Sequence, residues 1–176
     1  MLALFFQKKQ VKPIIDSVTA AGCIFTNETH ILAGYQPNKT TPYISGFGGN
    51  RLEGEPYEHT AVREMIEELF DIEATYDMIT WILNDLKPLR SIKHTGYMVL
   101  QYTFDDLYKI IKYLEPNGVN STLYKVWPKN LYDLIFTRTP TKSSEISTIC
   151  LLPFVKDIVI DDKFKKDIDE IIACVK

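Results

Sequence analysis

Glu64, Glu67 and Glu68 stand in the run Arg63-Glu-Met-Ile-Glu-Glu68. On a helix, that i, i+3, i+4 spacing projects all three carboxylates from one face. At about 100° per residue, Ala61, Val62, Met65, Ile66 and Leu69 gather on a different face suited to a core. The spacing therefore predicts a helix over about Pro56 to Leu69, buried on one side, with the acids held outward. Bare, the acidic face is unfavourable: Glu64 and Glu68 are like charges four residues apart, and all three lie towards the carbonyl-rich helix end. A hard divalent cation, magnesium or manganese, would cancel both penalties, because such ions take carboxylate and carbonyl oxygens and leave positions for phosphate. The same residues also read as a solvated acidic face with an Arg63 to Glu67 ion pair.

The stretch leading into this helix carries Gly46, Gly48, Gly49 and Gly54 within nine residues, where backbone amides without a Cβ in the way can approach phosphate oxygens. Glycines and acids together resemble the Nudix box, Gly-x5-Glu-x7-Arg-Glu-U-x-Glu-Glu-x-Gly-U, in which U is a bulky apolar residue. Gly49, Glu55, Arg63, Glu64, Met65, Glu67 and Glu68 fit it. The last two positions depart: Phe70 stands where the family has glycine and Asp71 where it has an apolar residue, with Ile72 one place late. Phenylalanine is poorly suited to the left-handed conformation that usually ends a helix at glycine, so this helix is expected to run on or to end by another turn.

The resemblance implies metal-assisted hydrolysis of a phosphoanhydride in a nucleoside diphosphate linked to another group. By position in the motif, Glu64, Glu67 and Glu68 are the metal ligands, the main-chain carbonyl of Gly49 is a further candidate, and Arg63 and Glu55 form a charge pair bracing loop against helix. The general base varies within this family. Glu64 is one candidate, and Glu145 is its rival, because Ser144-Glu145-Ile146 followed by Leu151-Leu152-Pro153 resembles the acid and Trp-x-Pro that many members carry before a late strand. Leu151 replaces the Trp.

Gly46-Phe-Gly-Gly49 followed by Leu52-Glu-Gly-Glu55 looks most like members that hydrolyse nucleoside triphosphates to monophosphate and pyrophosphate. Alternative substrates are ADP-ribose, dinucleotides and capped RNA, with RNA entering only as a capped end; a basic stripe from Lys87, Arg90, Lys93 and His94, or from Lys125, Lys129, Arg138 and Lys142, would favour RNA. A Nudix-like binding module without turnover is a third reading, and the intact acids count against it. Tyr35, Tyr43, Phe47 and Trp127 are candidates for stacking on a base. His59 lies off the acidic face, and His30 and His94 are no better placed.

These residues need a scaffold. Val18 to Thr26 and Ile31 to Gln36 read as strands joined by the turn Asn27-Glu-Thr-His30, and Pro37 to Pro42 as a loop entering the glycine segment. Tyr76 to Leu86 and Asp105 to Leu114 have helical spacing, Tyr97 to Phe104 and Ser147 to Phe154 read as strands, and Asp161 to Val175 as a closing amphipathic helix. The pattern alone gives a mixed α/β class; the resemblance implies a Nudix-like mixed sheet sandwiched between helices. Residues 105–142 exceed what the family core requires and carry Tyr108, Tyr113, Tyr124, Trp127, Tyr132 and Phe136, read as core aromatics with a lid or homodimer surface as the alternative.

With 176 residues, 45% of them hydrophobic, and no internal repeat, the chain is expected to form one domain. A net charge of -3 argues against general nucleic-acid coating. Cys23, Cys150 and Cys174 are an odd, scattered set without metal-ligand spacing, which fits a reducing compartment. Met1 to Phe6 lacks a basic leader and no run approaches a membrane span, so the expectation is a cytoplasmic protein with no membrane partner.

Overall fold

The computed structural model describes residues 18–27, 29–94, 96–153, 160 and 162–175. Two strands, β1 (Ala20–Thr26) and β6 (Tyr97–Thr103), run parallel through the middle of a seven-stranded sheet, paired from Ala20 opposite Tyr97 to Thr26 opposite Thr103. Period-two alternation sends their side chains to both faces. Ala21, Cys23 and Phe25 of β1, with Met98, Leu100 and Tyr102 of β6, enter one core; Ile24 and Val99 enter another. β5 (Arg90–His94) is antiparallel to β6 at one edge, while β2 (His30–Gln36) pairs antiparallel with β7 (Thr148–Pro153).

The glycine segment forms two short strands. β3 (Tyr43–Ser45) pairs with β2, and after Gly46 the chain passes to β1 as β4 (Phe47–Asn50), with Gly48 opposite Gly22 and Gly49 opposite Ala21. Its polar and glycine-rich sequence shows no alternation, and neither strand was expected; nor were β5 and α4 (Leu131–Phe136). The two long strands predicted first begin at Ala20 and His30, close to expectation.

Helices cover both faces. α1 (Tyr57–Phe70), α2 (Tyr76–Asp85) and α3 (Phe104–Leu114) pack on one, and α5 (Asp162–Val175) lays Phe164, Ile168 and Ile171 on the other. Ala61, Val62, Met65, Ile66 and Leu69 are fully buried, as the helical period predicts. α3 buries Leu107, Ile110, Ile111 and Leu114 behind a Thr103/Asp106 capping box, and Tyr113, Tyr124 and Trp127 pack against the core, but Tyr108, Tyr132 and Phe136, read as core aromatics, are exposed. The expected strand end at Phe154, helix start at Asp161, turn residue Glu28 and opening run Met1 to Phe6 lie outside the described residues. No helix among the described residues is long and apolar enough to cross a membrane.

α1 ends differently from the motif. Phe70 continues the helix into the core, stacked on Trp127 at 5.1 Å, and Asp71 takes the left-handed conformation (φ 52°, ψ 47°) one position late. Aspartate tolerates this region better than most residues, since its short polar side chain can bond locally. The last four carbonyls of a helix have no intrahelical partner, and here each finds another donor. Asp71 N–H donates to Glu67 O at 2.9 Å, Arg138 to Glu68 O at 2.7 Å and Leu69 O at 2.6 Å, and the Ser121 hydroxyl to Phe70 O. Residues beyond α3 thus complete the box helix where its sequence leaves the motif.

Candidate active site

The box loop is knit before the acids are reached. Gly54 (φ 76°) makes the turn ahead of α1, where the backbone conformation suits glycine. Glu55 reaches back as an acceptor for Leu52 N–H at 3.2 Å and the Thr60 hydroxyl at 2.8 Å, and Arg51 donates to the carbonyls of Val18 and Glu55. Arg63 meets Glu55 through two donors, Nε to Oε1 at 2.9 Å and Nη2 to Oε2 at 3.1 Å, and Nη2 also donates to Asn50 O at 3.0 Å. Burial would raise the Glu55 carboxyl, but the hydrogen bonds from Arg63, Thr60 and Leu52 outweigh it and hold the group below its ordinary value. The expected brace between loop and helix is this contact.

The acids do not all face outward. Glu68, 8% exposed, turns back under β4, where its Oε2 accepts the Gly48 N–H at 2.7 Å; its Oε1 is buried without a hydrogen-bond partner. Burial pushes the Glu68 carboxyl well above its ordinary value, Glu145 and Glu64 add repulsion, and the Gly48 amide and Lys39 pull the other way. Glu64 lies against Gly49: a Cβ at that position would displace the Glu64 carboxylate from where it now sits. Burial also raises Glu64, opposed by the Arg63 Nη1 donor at 2.7 Å. The same Nη1 reaches Glu67 at 3.1 Å, so the Arg63 to Glu67 pair read from the sequence is formed too.

Glu145, far away in sequence, joins the box acids. It lines a cleft with Glu64, Glu67, Glu68, Asp71 and Arg138, and its Oε1 accepts from Lys39 Nζ at 2.5 Å. That hydrogen bond raises Lys39 above its ordinary value. Lys39 was missed by sequence reading, since nothing in the loop Pro37 to Pro42 points to a partner at 145. Next to it, Gln36, Tyr43, Gly48 and Gly49 line the continuation of the cleft towards Glu64 and Glu145.

The aromatic candidates divide. Half-buried Tyr43 borders the cleft, and Tyr35 is partly exposed on β2. Phe47 is fully buried in the core and offers no ring face to a base. Trp127 is likewise committed elsewhere: its Nε1 donates to Ile111 O at 2.8 Å, and its ring packs on Phe70 and Tyr124. Both expectations of stacking are corrected by packing. The proposed basic stripes are also depleted, because Arg138 is spent on backbone carbonyls and His94 on Asp167 at 2.5 Å. His59 sits beside the Tyr76 ring and His30 beside Thr29, neither at the cleft.

The donor set fits a hard divalent cation in kind. It consists of carboxylate oxygens, one of them the buried Glu68 Oε1 that has no hydrogen-bond partner. In this arrangement Arg63 engages Glu64 and Glu67, and among the described residues no three acidic, His or Cys side chains converge closely enough to hold an ion.

No family model matches the sequence, and no curated protein matches it. Solved structures do. The chain is similar to a NUDIX-family hydrolase from Clostridium perfringens (12% identity, TM-score 0.42, 89% of this chain and 97% of that one). It is also similar to a MutT protein described from Aliivibrio salmonicida and Vibrio cholerae (12% identity, TM-score 0.45, 89% and 98%). A bifunctional NMN adenylyltransferase/ADP ribose pyrophosphatase from Francisella tularensis, complexed with AMP and a manganese ion, has 12% identity and a TM-score of 0.51 over 94% of this chain and 44% of that one. At such identity the likeness is one of fold, and the last of these structures carries it. The fold is a Nudix-like mixed sheet sandwiched between helices.

Proposed function

We propose that this protein is a divalent-metal-dependent pyrophosphohydrolase that cleaves a phosphoanhydride bond in a nucleoside diphosphate-linked substrate. The observation that carries the reading is the gathering of Glu64, Glu67, Glu68 and Glu145 in one cleft beside Gly48 and Gly49. Glu64, Glu67 and Glu68 would hold magnesium or manganese, with the Gly49 carbonyl as a further ligand. Such an ion supplies charge neutralisation on the phosphates and a water of lowered pKa. Glu68 is oriented by the Gly48 amide, and Arg63 holds Glu64 and Glu67 in register with the loop through Glu55.

Glu64 and Glu145 are the two bases available to the attacking water. If Glu145 is the base, Glu145→Gln lowers kcat strongly while metal affinity and KM change little, because the amide keeps the shape and loses the proton acceptor. A rate within a few-fold of the parent moves the role to Glu64 or to another group.

For the substrate, the loop resemblance supports a nucleoside triphosphate cleaved to monophosphate and pyrophosphate. ADP-ribose is the second reading, favoured by the named pyrophosphatase activity of the similar Francisella protein. Withdrawal of Arg138 and His94 from the basic stripes weakens the capped-RNA alternative. A panel of nucleoside triphosphates, ADP-ribose, dinucleotides and capped RNA, with products identified by mass, tests the assignment. Pyrophosphate release from triphosphates supports the first reading, ribose 5-phosphate and AMP the second, and binding without any product the non-catalytic module.

A further inference from the structure

Arg138 hydrogen-bonds backbone carbonyls rather than box side chains, yet it joins the two parts of the chain that carry the cleft acids. Its Nη2 donates to Glu68 O at 2.7 Å and to Ile146 O at 3.1 Å. Its Nη1 donates to Leu69 O at 2.6 Å and to the Tyr124 hydroxyl at 3.3 Å, and the guanidinium lies 5.9 Å from the Tyr124 ring centroid. Tyr124 is itself anchored, its hydroxyl donating to Leu134 O at 3.0 Å. One of the bridged carbonyls belongs to Glu68 and another to the residue directly after Glu145.

We propose that Arg138 is a positioning residue that sets the placement of Glu145 relative to the carboxylates of α1. The physical ground is the rigid planar fork. A guanidinium presents five donors in fixed geometry and stays charged, so it can hold carbonyls from two segments at one spacing; an ammonium on a flexible stem cannot. The positive charge also suits the carbonyl-rich end of α1. A backbone cap of the glycine type would satisfy the helix end without reference to residue 146. By using a side chain for the cap, this chain couples the end of the box helix to the segment bearing Glu145. The proposal rests on the pyrophosphohydrolase reading, with Glu145 as the base, for its kinetic consequences.

Arg138→Met and Arg138→Lys test it in two backgrounds, the parent and Glu145→Gln, on the best substrate of the panel at saturating metal. In the parent background Arg138→Met is expected to lower kcat about tenfold or more with KM within about threefold, and Arg138→Lys to recover part of the loss. In the Glu145→Gln background the same changes should matter by less than about twofold, since the group Arg138 acts through is already disabled. A purely structural role would reduce the folded, active fraction equally in both backgrounds. Equal losses in the two backgrounds, an unchanged kcat in Arg138→Met, or loss of fold in both Arg138 variants by circular dichroism would each overturn the proposal. Failure of the functional reading shows separately, as absence of turnover in the parent itself or a parent-like rate in Glu145→Gln, and removes the proposal with it.

Discussion

Ionising Glu68 in place costs the folded protein stability, because the carboxylate leaves water for a site where one oxygen has an amide donor and the other has no protein partner. The folded-state pKa lies above the unfolded one, so between the two values the folded chain binds more protons. Stability therefore falls as pH rises through that window, and the cost is absent at pH below the unfolded glutamate value. Glu68→Gln should consequently raise the stability at neutral pH by more than the roughly 0.5 kcal/mol typical of surface changes, seen as a higher melting temperature, with the gain fading towards pH 4. Thermal melts across pH without metal check this, and equal stability of variant and parent at neutral pH would contradict it. The Arg63 and Glu55 pair makes a second test. Its two hydrogen bonds and low exposure predict a coupling of about 1–3 kcal/mol, so the double alanine variant should lose less activity than the sum of the single losses, in free energy. Strict additivity would argue against a shared interaction.

At the scale of elements, the end of α1 is where sequence and motif disagree, and the structure moves the left-handed residue to Asp71 and keeps Phe70 helical and buried. Phe70→Gly should therefore cost at least about 3 kcal/mol, from the lost ring, the cavity and glycine in a helix, although glycine is the motif residue there. Asp71→Gly should stay within about 1 kcal/mol of the parent, since relief of the left-handed strain offsets loss of the Thr122 contact. Urea unfolding midpoints decide the pair; a tolerated Phe70→Gly would mean that the helix ends at the motif position. The long elements were legible because their patterns are strong: Leu107, Ile110, Ile111 and Leu114 mark α3 by helical spacing, and the apolar run Tyr97-Met-Val-Leu100 marks β6 as a strand buried on both faces. β4 was not legible, since Phe47-Gly-Gly-Asn50 is a strand only by pairing with β1. β5 buries Ile92 alone, and six-residue α4 is too short to show a period.

Across the whole molecule, one sheet carries two helical layers, and both α1 and Ile146, next to Glu145, pack into the same core on one face. The acids of the box and Arg63 could be read from spacing. The burial of Glu68, the Lys39 contact to Glu145 and the reach of Arg138 could not, because each depends on residues brought together across 20 to 106 positions of sequence. The central claim, that this acidic cleft is a metal-dependent hydrolytic site, is tested most directly by following cleavage of a nucleoside triphosphate and of ADP-ribose in oxygen-18 water with magnesium or manganese. The account predicts single phosphoanhydride cleavage with one labelled product oxygen, abolished by excess chelator and lowered by about a hundredfold or more in folded Glu67→Gln and Glu68→Gln variants. Full turnover in chelator, undiminished turnover in both variants, or no phosphoanhydride cleavage of either substrate would contradict it.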